Sequence, residues 1–184
     1  MTVTDSGTSI IELIVRDHGS VKALLNRFDG LAAGQRQDYF CEVVHELIRH
    51  EVAEELVLYP ALRADARQGG AQADLRIGEQ SKAEQMLSDM QDLDPGSEEF
   101  TARFLQLREA VLEHAAAEED STLPLLGEAE TPQKLRDLGS RYERARASAP
   151  THPHPHSSDT PPANRILGPV AAVVDRARHA MSKG

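Results

Sequence analysis

From Ile10 to Phe28 the apolar residues Ile10, Ile11, Leu13, Ile14, Val21, Leu24, Leu25 and Phe28 recur at helical intervals. Ser9 and Glu12 stand just ahead at the spacing of a capping box, so the pattern predicts a helix that starts there and ends near Gly30 or Gly34. A second stripe runs through Phe40, Val43, Val44, Leu47, Ile48, Val52, Leu56, Leu58 and Leu62 and predicts a helix to about Ala66. A third helix is expected from about Gln72, carrying Leu75, Ile77, Met86, Leu87 and Met90. Asp94-Pro95-Gly96 then marks a turn. A fourth helix takes in Phe104, Leu105, Leu107, Val111 and Leu112 and continues to about Leu126. No segment alternates like a strand. Four helices with short connections predict an all-α fold, an up-down-up-down four-helix bundle over residues 8–128.

The remainder divides into three. Thr131-Pro132 supplies an N-cap and a first-turn proline for an additional helix within 129–149. Residues 150–164, rich in Pro, His, Ser and Thr, read as an extended linker. Residues 165–184 carry a short amphipathic pattern, a C-terminal helix that could contact a protein partner.

The second and fourth helices repeat each other. "HEVAEELVLYPAL" from His50 and "HAAAEEDSTLPLL" from His114 share six identities in thirteen positions at an offset of 64: His50/His114, Ala53/Ala117, Glu54/Glu118, Glu55/Glu119, Pro60/Pro124 and Leu62/Leu126. The first and third helices echo each other more weakly at an offset of 62, which sets His18 over Gln80 and Lys22 over Glu84. The chain thus reads as two helical hairpins related by a pseudo-two-fold.

Residues four apart share a helix face, so each copy projects an imidazole beside a carboxylate. Alone, His50-x-x-x-Glu54 describes an ordinary solvated pair; its duplication points both copies inward. Bundle di-metal sites use paired ligands one turn apart on facing helices. His18 and Glu84 complete a ring drawn from four helices, giving six candidate metal ligands: His18, His50, Glu54, Glu84, His114 and Glu118. Carboxylates inside a bundle are sensible only if cations or donors meet them. Glu55 and Glu119 are read as supporting or solvated, His45 as surface or supporting, Tyr59 as packing or hydrogen-bonding near the bundle end, and Cys41 as a passive helix residue.

Composition narrows the partners. Formal net charge is −10, against the basic surface that nucleic acid requires and without support for an anionic membrane. Aromatics are 4% and Trp is absent, so aliphatic residues must build the core. A single cysteine rules out an internal disulfide, the N-terminus lacks a basic start, and no apolar run approaches a membrane span. These features lead us to expect a cytoplasmic protein.

The motifs resemble those of the hemerythrin-like, or HHE cation-binding, family. The resemblance rests on His18 in "RDHGSV", His50 and Glu54 in "RHEVAEELVLYP", and His114 and Glu118 in "EHAAAEEDSTLPLL", and covers about Ile10 to Leu126. It implies a four-helix bundle with a non-haem di-iron centre, Glu54 and Glu118 bridging two iron ions and the three histidines as terminal ligands. Oxygen carriers of the family use a His-rich third helix, where this chain has Gln80 and, one turn later, Glu84. More carboxylate and less imidazole disfavours reversible oxygen carriage. The departure leaves either an open coordination position or a single tightly bound metal. The expected small-molecule partner is peroxide, dioxygen or nitric oxide, with peroxide disproportionation as the enzymatic form. The alternatives are a non-catalytic metal-dependent sensor acting through the tail, and sequestration of iron or zinc.

Overall fold

A computed structural model describes residues 7–149. The expected linker at 150–164 and C-terminal helix at 165–184 lie outside the described residues. Helix α1 (Ile10–Asn26) begins where Ser9 Oγ accepts from the Ile11 N–H and the Glu12 carboxylate accepts from the Ser9 N–H. Its buried face is Ile10, Leu13, Ile14, Asp17, His18, Val21, Leu24 and Leu25, so two polar residues sit within the apolar stripe itself. Two 3₁₀ turns, Arg27–Gly30 and Ala33–Gln35, lead into α2 (Arg36–Ala53).

The second helix does not stop at Ala53. It passes through a π-helical turn, Glu54–Leu58, into α3 (Tyr59–Asp65). Pro60 explains the wide turn. It has no N–H, and its ring excludes the carbonyl four residues back, so the preceding Tyr59 N–H reaches five residues back to the Glu54 carbonyl. The same device recurs in the other hairpin. There α5 (Glu98–Ala117) enters a π turn at Glu118–Thr122, the Leu123 N–H bonds the Glu118 carbonyl, and α6 (Leu123–Ala129) follows with Pro124 in its first turn. Thus the repeated proline and the repeated glutamate belong to one structural unit.

Between the hairpins, Gln68 adopts φ 65° and α4 runs Gly69–Met90. A Cβ at Gly69 would collide with the Leu62 carbonyl, which explains glycine at this close approach. Helix α7 (Pro132–Ser148) is capped by Thr131 Oγ1 on the Lys134 N–H and packs against α1 and α2. Gly139 lets it lie directly on the Thr8 carbonyl at the entry to α1. No strand occurs among the described residues, and no helix among them is long and apolar enough to cross a membrane.

Two apolar clusters fill the bundle. One includes Phe28, Tyr39, Phe40, Phe100 and Phe104, with the Phe28 and Phe104 rings stacked at 4.1 Å. The other gathers Ile10, Leu13, Ile14, Leu58, Leu62, Leu126 and Leu138. The polar candidates fall at the junction. His18 lies between Ile14 and Val21, His50–Glu54 straddles Val52 and Ala53, Gln80 lies between Ala73 and Ala83, and His114–Glu118 lies between Val111 and Leu123. Each pair of flanking residues divides between the clusters, so four helices bring a polar layer to one level of an otherwise apolar interior.

Candidate metal centre

His18, His50, Glu54 and Glu118 are all buried, and each offers a ligand atom within 4.8 Å of the other three. His50 Nε2 is 3.0 Å from Glu54 Oε1, and His18 Nε2 is 3.4 Å from Glu118 Oε2 and 3.9 Å from Glu54 Oε1. His114 stands at the margin, its Nε2 3.8 Å from Glu118 Oε2. Four of these atoms, His18 Nε2, His114 Nε2, Glu54 Oε1 and Glu118 Oε2, are buried without a well-formed hydrogen bond. Buried polar atoms are normally satisfied, and a cluster of exceptions asks for a missing partner. An ion with bonds of about 2.1 Å holds its ligand atoms roughly 3–4 Å apart, close to these separations. Imidazole and carboxylate without thiolate suit iron, manganese or zinc. The residues present therefore fit a bound cation.

The rest of each side chain is tied down from behind. His18 Nδ1 lies 2.9 Å from Glu119 Oε1, and His114 Nδ1 lies 2.9 Å from Glu79 Oε2, which also meets Arg76 Nη1 at 3.0 Å. His50 Nδ1 donates to Tyr142 Oη at 2.9 Å; that hydroxyl donates to Asp17 Oδ2 at 3.1 Å, and Arg146 Nε meets the same oxygen at 2.8 Å. An acceptor behind every Nδ1 keeps the proton there and turns the Nε2 lone pair inward. The carboxylates are held in the same way. Gln80 Nε2 donates to Glu54 Oε2 at 2.7 Å, and Tyr59 Oη donates to Glu118 Oε1 at 2.9 Å.

Electrostatics record the crowding. Burial alone would lower the His18 pKa, but hydrogen bonds and charges from Glu118 and Glu54 overcome it and raise it to about 10. Burial works against ionised Glu54 too, yet the charge of His50 and the His18 and His50 hydrogen bonds hold its pKa well below the usual value. Glu118 is pushed up, by burial first and then by Glu54. Metal-free, the centre keeps a proton where a cation would replace it.

A family model, Hemerythrin HHE cation binding domain, matches residues 9–126. The chain belongs to this family. An uncharacterized hemerythrin-like protein of Schizosaccharomyces pombe is 28% identical over 183 residues, covering 96% of this chain and 88% of that protein. A DNA nickase of Nostoc sp. is 26% identical over 140 residues, which are 76% of this chain and 39% of the nickase. No solved structure gives a significant match.

Within this HHE domain the structure departs from the expected ring at Glu84. The buried face of α4 is Ala73, Arg76, Gln80, Ala83, Leu87 and Met90, and Glu84 falls one position off that stripe. It is half-buried, its pKa raised by burial, and its charge acts on Glu51 and Glu55 rather than joining the four-residue cluster. From α4 it is Gln80 that reaches Glu54 and Glu79 that reaches His114.

Three functional features escaped sequence reasoning. Tyr142 comes from α7, beyond the family match, and no motif links it to His50. Asp17 was readable only as a charge inside an apolar stripe. Glu51 has no counterpart in the repeat, because its twin position is Ala115. A small cavity of about 20 Å³ beside the centre is lined by His18, His50, Glu51, Gln80 and His114, with apolar walls from Val21, Leu47, Ala83 and Val111.

Proposed function

We propose that this HHE domain holds non-haem iron at the His18–His50–Glu54–Glu118 centre and reacts with or senses peroxide, dioxygen or nitric oxide there. The observation that carries the reading is the convergence, from α1 and both repeat copies, of buried imidazole nitrogens and carboxylate oxygens that lack a well-formed hydrogen bond. The adjoining cavity supports the substrate class, since about 20 Å³ has room for little more than one water-sized species. Bound iron would supply electron exchange and a Lewis-acidic contact for such a molecule.

The chain's own residues set the conditions. Val21, Leu47, Ala83 and Val111 give the cavity apolar walls. The buried Tyr59 hydroxyl, its pKa raised by burial and by Glu54 and Glu118, remains a proton donor to Glu118 Oε1 at neutral pH. Gln80 and Tyr59 orient the two carboxylates, and the three Nδ1 partners orient the imidazoles.

The test is direct. Protein expressed in iron-replete medium should carry iron and absorb in the near-ultraviolet, and the spectrum should change on adding peroxide. A folded helical protein that takes up no metal would sink the reading. Oxygen evolution from peroxide by the purified protein separates disproportionation from sensing.

A further inference from the structure

The α4 side of the centre lacks an imidazole. Gln80 stands where one would reach the metals, and its Nε2 is spent on Glu54 Oε2. His114 therefore faces the cavity with Nε2 unpartnered and only Glu118 close by. The same cavity is lined by a group that the repeat does not predict. Glu51 is 5% exposed, follows His50 directly, and leaves Oε2 buried without a hydrogen bond. A buried carboxyl without a donor is costly, and proteins keep one where something else meets it. The position is also one at which the two copies differ: the first has Glu51 and the second has Ala115, and both line this cavity.

We propose that Glu51 is the carboxylate ligand of a second metal position, shared with His114 and with the bridging oxygens of Glu54 and Glu118, in place of the third-helix imidazole. The proposal rests on the metal-binding reading above and adds to it which residue closes the pair and in what order the two ions enter. The first position has its four ligand atoms already gathered within 4.8 Å. The second needs Glu54 Oε2 and Glu118 Oε1, which Gln80 and Tyr59 now hold. Displacing those donors makes the second ion the weaker. Three carboxylates then stand against the four charges of two divalent ions, a better balance than Glu54 and Glu118 alone provide.

Anaerobic titration of the metal-free full chain with Fe(II), counting bound ions and following helicity, tests this in wild type, Glu51→Gln and Glu84→Gln. Wild type should take up about two ions in two steps, Glu84→Gln the same, and Glu51→Gln only the first ion with unchanged affinity. Two ions with wild-type affinities in Glu51→Gln overturn the proposal. So does loss of the second ion in Glu84→Gln, or a wild type that binds one ion as tightly as Glu51→Gln does. Wild type that binds none defeats the metal reading instead. If Glu51→Gln does not fold, Glu51→Asp keeps the acid but withdraws it. The second ion should then bind at least tenfold more weakly with the first unaffected, and an unchanged second step overturns the proposal.

Discussion

His50 and His114 both turn Nε2 toward the centre, yet what stands behind them differs. Behind His50 is Tyr142, fully buried and itself held by Asp17 and Arg146. Behind His114 is Glu79, whose side chain is 31% exposed, and His114 itself is 11% exposed. The carboxylates diverge likewise: Glu54 is held ionised by the histidines around it, while Glu118 is pushed toward protonation by burial and by Glu54. A repeated motif has therefore produced one rigid, dry half and one looser half. Sequence identity within the motif sets which atoms converge; the third layer of side chains sets how firmly.

The sharpest way to break this contrast is to remove each imidazole in turn. His50→Ala should abolish stable metal binding, and His114→Ala should leave one ion per chain, read by metal analysis after gel filtration; equal losses would erase the distinction. Protons come next. His18 has a raised pKa, so its contribution to metal-free stability is complete below 6.5 and is lost as pH rises toward about 10. Glu55, raised from 4.5 to about 7 by burial and then by Glu84 and Glu54, gives a loss of the same sign at lower pH, largely complete by pH 7, so the fall above pH 7 belongs to His18. Denaturant unfolding of metal-free protein should therefore show stability falling between pH 7 and 9.5, and His18→Gln should flatten that fall. In the same window metal must displace the His18 proton, so apparent affinity should rise about tenfold per pH unit.

Smaller effects probe the supports. Tyr142→Phe removes the acceptor behind His50 and should weaken the first ion by about 10–100-fold. Glu79→Gln, at a wetter site, should weaken binding less than about tenfold, and a larger effect there than at Tyr142 would reverse the assignment of the firm half. Gln80→His should tighten only the second ion, by a few-fold, detectable as convergence of the two titration steps.

Much of this architecture was readable from spacing. The ring drawn from four helices brought in His18, and the offset of 64 picked out Glu54 and Glu118 from a chain with 30 acidic residues. Periodicity failed where one position decides the outcome. Glu84 and Gln80 are one turn apart on α4, a helix whose apolar pattern is too weak to fix its rotation, and only packing shows that the inward stripe runs through Gln80 and Ala83. Tyr142 lies 92 positions from His50, and a tyrosine on a highly charged helix gives no local sign of being buried. Glu51 carries no such signal, because it is absent from the second copy and sits about 100° round the helix from His50.

The paired π turns have one more consequence. A π turn is a surplus residue, and each residue advances an α-helix by about 100°, so everything beyond it is out of phase with what came before. Tyr59, five residues after Glu54, would point well away in an unbroken helix; the surplus residue brings it back over the same side, where it meets Glu118. The matching residue in the second hairpin is Leu123, rotated inward by the same slip but packed among apolar neighbours. Each insertion thus acts as a phase corrector: it gives a residue five positions after the glutamate the place that a residue four positions after it would hold in an unbroken α-helix, and so brings a further side chain into line with the polar layer.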